Sequence, residues 1–501
     1  MVQELPSIVG LVRPGMLSLS QFGGLDLVDD PEEIGIKGAI DLLNVDIDRR
    51  GRIRSRDGYN NFLSSAASQR LNSLGVYYNV TGTKQLLASS VDAGANSFLA
   101  AYTTAGASIA STVTFNNLAQ AQFTRFGGPA AEIVYVASWR VVGTSANSVR
   151  TWDGAAWAVA GGFPANTFAL DVQALDNRLV AATIASNSSR IAFSDAGAPG
   201  TWTATSVLDL TPGDGERIVD IVSWRELVFV FKETKFFVFT GNSAGATGLP
   251  IFNYRPVAAG VGSIARGCSI ATPTGVYFLS RRGIYRTTGG DPTLISRALD
   301  PIFRGGLSSF FSGSELNDAA VSVCQLWWHD ERLYFAYPSG SSTTNDRLAV
   351  YDPQVDMWLL WNIATNGMTT FRASDGEELF FSYATGTNDI GRHSPSFTDD
   401  DGTSISSYYQ TGWFEQDGRG RRLNEDTYLR GVTVRGSGSP TIALLTDYNT
   451  SDSLAAVVTL GTNPLLARAL HNPSYKGKLF STKISSTSPW SISGIKIGQY
   501  P

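Results

Sequence analysis

The sequence predicts an all-β chain: a β-propeller of six to eight blades, seven favoured, with an extended N-terminal arm and hairpin before it and a β-sandwich after it. Three observations carry this. A strand phrase recurs seven times, with its first apolar residue at positions 86, 133, 179, 227, 276, 333 and 379 and intervals of 47, 46, 48, 49, 57 and 46 residues. Glycine is dense, at 51 of 501 residues, and no long stretch shows helical periodicity. Charged residues are only 17%, while 11 tryptophans and 18 tyrosines suit strand faces covered by neighbouring sheets.

The clearest copies of the phrase are Arg225-Glu226-Leu227-Val228-Phe229 and Glu331-Arg332-Leu333-Tyr334-Phe335; the weakest is Lys84-Gln85-Leu86-Leu87. A period of about 45–50 residues holds four strands of roughly 5–6 residues with their turns, the unit of a propeller blade. One such sheet cannot bury both faces alone, so blades must stack around an axis. A second strand phrase follows several anchors, as in Lys235-Phe236-Phe237-Val238-Phe239 and Arg347-Leu348-Ala349-Val350-Tyr351. Three repeats then carry an acidic turn and a tryptophan: Asp153 to Trp157, Asp195 to Trp202, and Asp352 to Trp358. Asp195 is expected to cap backbone amides there and Trp202 to pack between blades. The 57-residue interval leaves room for an insertion. The expected domains are 1–65 (arm and hairpin), 66–395 (propeller) and 396–501 (sandwich), with Asp399-Asp400-Asp401-Gly402 as a solvated linker.

A formal net charge of −5 argues against general attraction to phosphate or anionic membrane. Cys268 and Cys324 lie in apolar phrases and read as buried free thiols. Met1 to Pro6 shows no basic segment leading into an apolar run, so no signal peptide is expected, and no 18-residue apolar stretch offers a membrane span. The expectation is a protein made in a reducing cytoplasm, or assembled there into something larger.

The arm holds one sharp element. Asn44-Val45-Asp46-Ile47-Asp48, Arg49-Arg50-Gly51 and Arg52-Ile53-Arg54-Ser55-Arg56 read as a hairpin with a three-residue loop, Gly51 supplying positive φ. In that register Asp48 faces Arg52, Asp46 faces Arg54 and Ile47 faces Ile53. Cross-strand ion pairs then share one face, each worth a fraction of a kcal/mol. Arg49, Arg50 and Arg56 are left without partners, which makes them candidates for a contact to another subunit or protein.

These residues carry a resemblance. Phe22-Gly23-Gly24-Leu25, the Asn44–Asp48 strand and Arg50-Gly51-Arg52-Ile53-Arg54-Ser55-Arg56-Asp57-Gly58-Tyr59 resemble the opening of the hub or nozzle structural proteins of short-tailed bacteriophages. Thr274–Arg286 is similar to blade phrases of that family. Thr411-Gly412-Trp413-Phe414, the basic turn Gly418–Leu423 and Val434-Arg435-Gly436-Ser437-Gly438 resemble its terminal module. The resemblance implies a virion protein assembled in the host cytoplasm, forming a homo-oligomeric ring, six copies in that family. Such a ring surrounds the channel through which DNA leaves without sequence-specific binding. It joins the head-to-tail adaptor to tail fibres or distal tail parts, with Arg49-Arg50 as the docking loop.

Catalytic, cofactor and metal sites are not expected. The three histidines, His329, His393 and His471, form no zinc-binding spacing, and neither a nucleophile elbow nor a phosphate-binding loop is present. The rival reading is a carbohydrate-binding or glycan-cleaving propeller, which predicts a signal peptide and arginines converging on one axial end. A kelch-like scaffold predicts cleaner double-glycine repeats than these.

Overall fold

The computed structural model describes residues 16–63, 70–91, 97–109, 113–115, 120–127, 132–138, 149–164, 167–173, 178–183, 187–244, 250–257, 260–374, 376–383, 389–414, 427–457, 460 and 466–498. The chain is all-β. Among the described residues, strands form seven four-stranded antiparallel sheets and two larger ones. The seven small sheets, I to VII, begin with Arg70–Tyr78, Ala121–Gly127, Thr167–Gln173, Asp220–Trp224, Ser269–Thr272, Gln325–His329 and Thr365–Phe371. Each of these first strands contacts the next in order, and the first strand of sheet VII returns to that of sheet I.

The recurring phrase is the second strand of each sheet. The anchors Leu86, Ile133, Leu179, Leu227, Val276, Leu333 and Leu379 lie on Lys84–Val91, Glu132–Ser138, Arg178–Thr183, Leu227–Phe231, Gly275–Ser280, Arg332–Tyr337 and Glu378–Tyr383. This strand is apolar on both sides because it is flanked within its sheet and covered by both neighbours; Gly275–Ser280 is buried at every position. Neighbouring sheets share apolar layers. Phe229, Phe231 and Phe236 of sheet IV pack with Phe278 and Tyr285 of sheet V, the Phe231 and Phe278 rings 5.0 Å apart. Tryptophan indoles tie sheets together: Trp152 Nε1 donates to Gln85 Oε1 at 2.7 Å and Trp224 Nε1 to the Thr272 carbonyl at 2.7 Å. A buried indole N–H left unpaired costs free energy, and these two bonds avoid that cost.

The long interval holds an insertion. Between Thr293–Leu294 and Gln325–His329 lie the short helical turns Arg297–Leu299, Asp300–Arg304 and Asp318–Val323. The turns before the tryptophans differ in construction. The Asp153 carboxylate accepts from the Ala155 and Ala156 amides, both at 2.8 Å. The Asp195 carboxylate instead accepts the Thr203 hydroxyl at 3.1 Å, and its turn is closed by backbone bonds. Trp202 packs on Phe163, rings 4.8 Å apart.

The arm is not a separate unit. Tyr59–Leu63 supplies the fourth strand of sheet VII, pairing with Ile390–His393. A six-stranded sheet runs Val45–Ile47, Ile53–Ser55, Ser491–Gly498, Thr427–Ser437, Leu466–Gly477, with Met16–Leu19 also on Ser491–Gly498. A five-stranded sheet runs Ala39–Leu43, Ser407–Thr411, Phe480–Ser486, Thr441–Thr446, Asn449–Val457. Residues 16–63 therefore contribute strands to sheet VII and to both larger sheets, and a boundary at residue 65 divides paired strands. The larger sheets share one hydrophobic core with the arm and sheets V to VII, including Phe22, Leu25, Ile47, Ile53, Tyr409, Phe480 and Ile492.

Gly24 shows why the arm needs a double glycine. A Cβ there would lie 2.8 Å from both the backbone nitrogen and the carbonyl oxygen of Trp358. Leu25 N donates to that carbonyl at 2.8 Å, so the arm crosses sheet VI backbone against backbone. Phe22 meets Tyr409 edge-on at 5.4 Å, and the Tyr409 hydroxyl reaches the Gly23 and Lys37 carbonyls at 3.1 and 2.9 Å.

Candidate functional site

The hairpin forms the wall of a cleft of about 630 Å³ between the arm, sheet VI and sheet VII. Its register pairs Val45 with Ser55, Asp46 with Arg54 and Ile47 with Ile53. Ile47 and Ile53 are buried beneath it. Gly51 turns the loop at φ +75°, where a Cβ would press on Gln21. Asp48 accepts from the Arg50 and Arg52 amides at 2.8 and 2.9 Å, and its carboxylate lies 3.6 Å from the Arg52 guanidinium.

Asp46 is the hub of the cleft's charges. Arg54 reaches it at 2.7 Å and Arg332, from the second strand of sheet VI, at 2.8 Å. Burial alone would raise the Asp46 pKa; the Arg332 and Arg54 guanidiniums outweigh it and hold the carboxyl below its usual range. Arg54 also grips Asp57, and Arg332 reaches Asp352 at 3.3 Å. Glu378 is held by Arg392 through two bonds of 2.6 and 2.8 Å, and Glu377 by Arg372. Each of these carboxylates is thus committed to a guanidinium, leaving Asp330 at the rim.

Two imidazoles, His329 and His393, line the same cleft. His393 stacks on Trp361 at 5.5 Å, with a buried Nε2 that has no hydrogen-bond partner among the described residues. Burial pushes its pKa down to about 4, and burial likewise lowers that of His329, whose Nδ1 sits 3.2 Å from Thr370 Oγ1. Both rings are therefore neutral near pH 7, and the cleft is a network of matched ion pairs around neutral aromatics. Such an arrangement fixes geometry between elements.

The three arginines expected to reach outward part company. Arg56 does not face a partner. Its side chain is fully buried, donating to Asp400 through both terminal nitrogens at 2.8 and 2.6 Å, and its Nε donates to Asn44 Oδ1 at 2.9 Å. Arg49 pairs with Glu331 of the sheet VI turn, with both side chains more than half exposed. Arg50 is exposed at the cleft's edge and has no side-chain partner among the described residues. The linker reading of Asp399–Asp401 changes accordingly: Asp400 is an internal counter-ion, and Asp401 accepts from the Asn61 amide at 3.2 Å. The basic turn Gly418–Leu423 and His471 lie outside the residues whose side chains are described.

Sequence reasoning missed two groups. Asn44, at φ +54°, donates to the Ser406 carbonyl at 2.8 Å and accepts from the Asn362 amide at 3.0 Å, clasping three segments. Asp41 is a buried carboxyl receiving the Ser312 and Tyr408 hydroxyls at 3.3 and 3.2 Å. Burial raises its pKa to about 6, against the opposing pull of those hydroxyls and Lys483. The signal was available: Asp41 interrupts the apolar run Ala39-Ile40-Asp41-Leu42-Leu43. Cys268 and Cys324 are buried free thiols, both pushed up by burial.

No family model and no curated protein matches this chain. Among solved structures, it is similar to the crystal structure of the extracellular domain of a hybrid two-component system from B. thetaiotaomicron. That similarity has a TM-score of 0.38 and 11% identity, covering 87% of this chain and 58% of the other. The chain therefore spans less than two thirds of that structure, and a likeness this distant carries no argument about function.

Proposed function

We propose that this chain is a structural subunit of a bacteriophage tail, a hub or nozzle component. Its copies form a ring around the channel for outgoing DNA and join the adaptor to distal tail parts. In this reading the seven small sheets are the blades of a propeller, which their cyclic first-strand contacts support, and the two larger sheets are a sandwich. Structure and sequence play separate parts: strand pairing supports the architecture, and the phage resemblance supplies the function.

The observation that carries the reading is where the resembling phrases sit. Phe22–Leu25 and the Asn44–Tyr59 hairpin form the seam that binds sheets VI and VII to both larger sheets. A ring transmitting load from adaptor to fibre requires its parts to be fixed to one another, and this seam does that. Arg50 is the docking contact, with Arg49 beside it.

The native mass of the purified chain, alone and with a candidate adaptor, tests this. A closed ring, six copies by the resemblance, formed alone or on adding adaptor and lost in Arg49→Glu/Arg50→Glu, is the expected result. A monomer that ignores adaptors overturns it.

A further inference from the structure

The insertion between sheets V and VI lays a serine on the five-stranded sheet. Ser312 follows Phe311, which is buried in the shared core, and precedes Gly313, where a Cβ would collide with the Phe311 ring. The turn is tight and its anchor fixed, while Ser312 itself is exposed. Beneath it stands the Asp41 carboxyl, 2% exposed. Ser312 Oγ lies 3.3 Å and Tyr408 Oη 3.2 Å from the same oxygen, Asp41 Oδ1, and the two hydroxyls are hydrogen-bonded to each other.

Three contacts among three oxygens call for three protons, and the two hydroxyls supply two. The triangle is complete only while Asp41 carries the third. Once ionised, Asp41 is an acceptor with the Ser312 hydroxyl in reach. Burial raises its pKa to about 6, which brings that change close to neutral pH, where a general base works best. The charged groups facing the triangle are cations. Lys483 Nζ lies 4.8 Å from the centre of the Tyr408 ring and acts on Asp41, and Arg347 acts on Tyr408. Gln410 stands directly across from both Asp41 and Lys483, hence on their face of the sheet, and its buried Nε2 has no partner among the described residues. It is a spare donor for the ionised carboxylate.

We propose that Ser312 is a nucleophile toward short carboxylic esters, with Asp41 as its general base. Ser312 Oγ bonds to the ester carbonyl carbon, its proton passes to Asp41, and the carbonyl electron pair moves onto oxygen. The bond to the alcohol oxygen then breaks, and the alcohol leaves with the proton from Asp41. Water attacks the acyl-serine and gives a proton to Asp41, and Ser312 takes that proton back as the carboxylic acid departs. Lys483 is the cation at hand for the developing negative charge. An ester suits this open cluster better than a peptide bond, because an alcohol needs less protonation to leave than an amine. The proposal stands apart from the tail reading, and either can fail without the other.

The test treats the full chain with diisopropyl fluorophosphate, which phosphorylates activated serines, and reads intact mass and a peptide map. A single adduct on Ser312 is expected, formed at a rate that rises with pH through about 6. Asp41→Asn, a near-isosteric change checked for folding by circular dichroism, is expected to slow labelling by about a hundredfold, the usual size of a general-base effect. Hydrolysis of 4-nitrophenyl acetate should fall in parallel, and Ser312→Ala should remove both signals. A chain that stays unlabelled at Ser312 overturns the proposal, as does labelling equally fast in folded Asp41→Asn.

Discussion

Arg56 and Asp400, 344 residues apart in sequence, form a two-pronged ion pair in the interior, with the Arg56 side chain sealed from solvent and its guanidinium 6.0 Å from the Trp361 ring. The pair joins the hairpin to the segment that follows sheet VII. Its remaining N–H groups are used as well, on Asn44, Asn362 and the Asp57 carbonyl. A buried charge is tolerable only when satisfied in this way.

Arg56→Ala leaves Asp400 as an unpaired carboxylate in a poorly hydrated site. The expected loss is about 3–5 kcal/mol in denaturant unfolding. Arg56→Ala combined with Asp400→Asn is expected to recover part of that loss, since the stranded charge is then gone. A loss below about 1 kcal/mol for the single variant would contradict the assignment.

Gly24→Ala places a methyl group 2.8 Å from the Trp358 backbone, which cannot move without disturbing sheet VI. Destabilisation of about 1–3 kcal/mol is expected, with faster amide exchange at Leu25. The same substitution at Gly290, where nothing lies within 4 Å of the Cβ position and φ is not positive, offers a control for the loss of a glycine.

Asp41 and His393 make opposite contributions to stability on acidification. Asp41 has a folded-state pKa raised to about 6, so its contribution is full below its unfolded value of about 4 and is lost as pH rises through 6. The size is on the order of 3 kcal/mol. Asp41→Asn should therefore be most beneficial above pH 6 and give little advantage near pH 4, as read from unfolding free energy against pH.

His393 has its pKa lowered to about 4, so its contribution is full above about 6.5 and is lost as pH falls toward 4. His393→Phe is expected to remove that acid sensitivity, again on the order of 3 kcal/mol. Because the two groups nearly cancel across the same interval, the unaltered chain should show a flatter profile there than either variant. A pronounced slope in the parent that neither substitution changes would refute both assignments.

The repeat was legible because it is local. Leu227-Val228-Phe229 and Leu333-Tyr334-Phe335 are apolar through and through, as a strand covered on both faces must be, and all seven anchors fall on second strands. The Asp46–Arg54 pairing was legible for the same reason: eight residues and one turn separate the partners. Nothing local distinguishes Arg56 from Arg50. They stand six positions apart on one short hairpin, and only the arrival of Asp400 and Trp361 decides that one is interior. The arm read as a free lead because its strands pair with Ser407–Thr411 and Ser491–Gly498, distances over which sequence carries no spacing signal.

The seam made by the arm also sets a timetable for synthesis. Ser55 waits for Trp490, 435 residues further along, and at roughly 5–20 residues per second that delay is tens of seconds. The edge of Tyr59–Leu63 is open until Ile390–His393 is made, and the hairpin lacks its strand partner for longer, until Ile492 reaches Ile53. A chain released early would have a ring of sheets without its clasp and an unsheathed hairpin, a state recognisable to proteases and chaperones. Fastening a strand to one made 435 residues later thus works as a proofreading step, exposing chains interrupted between the two.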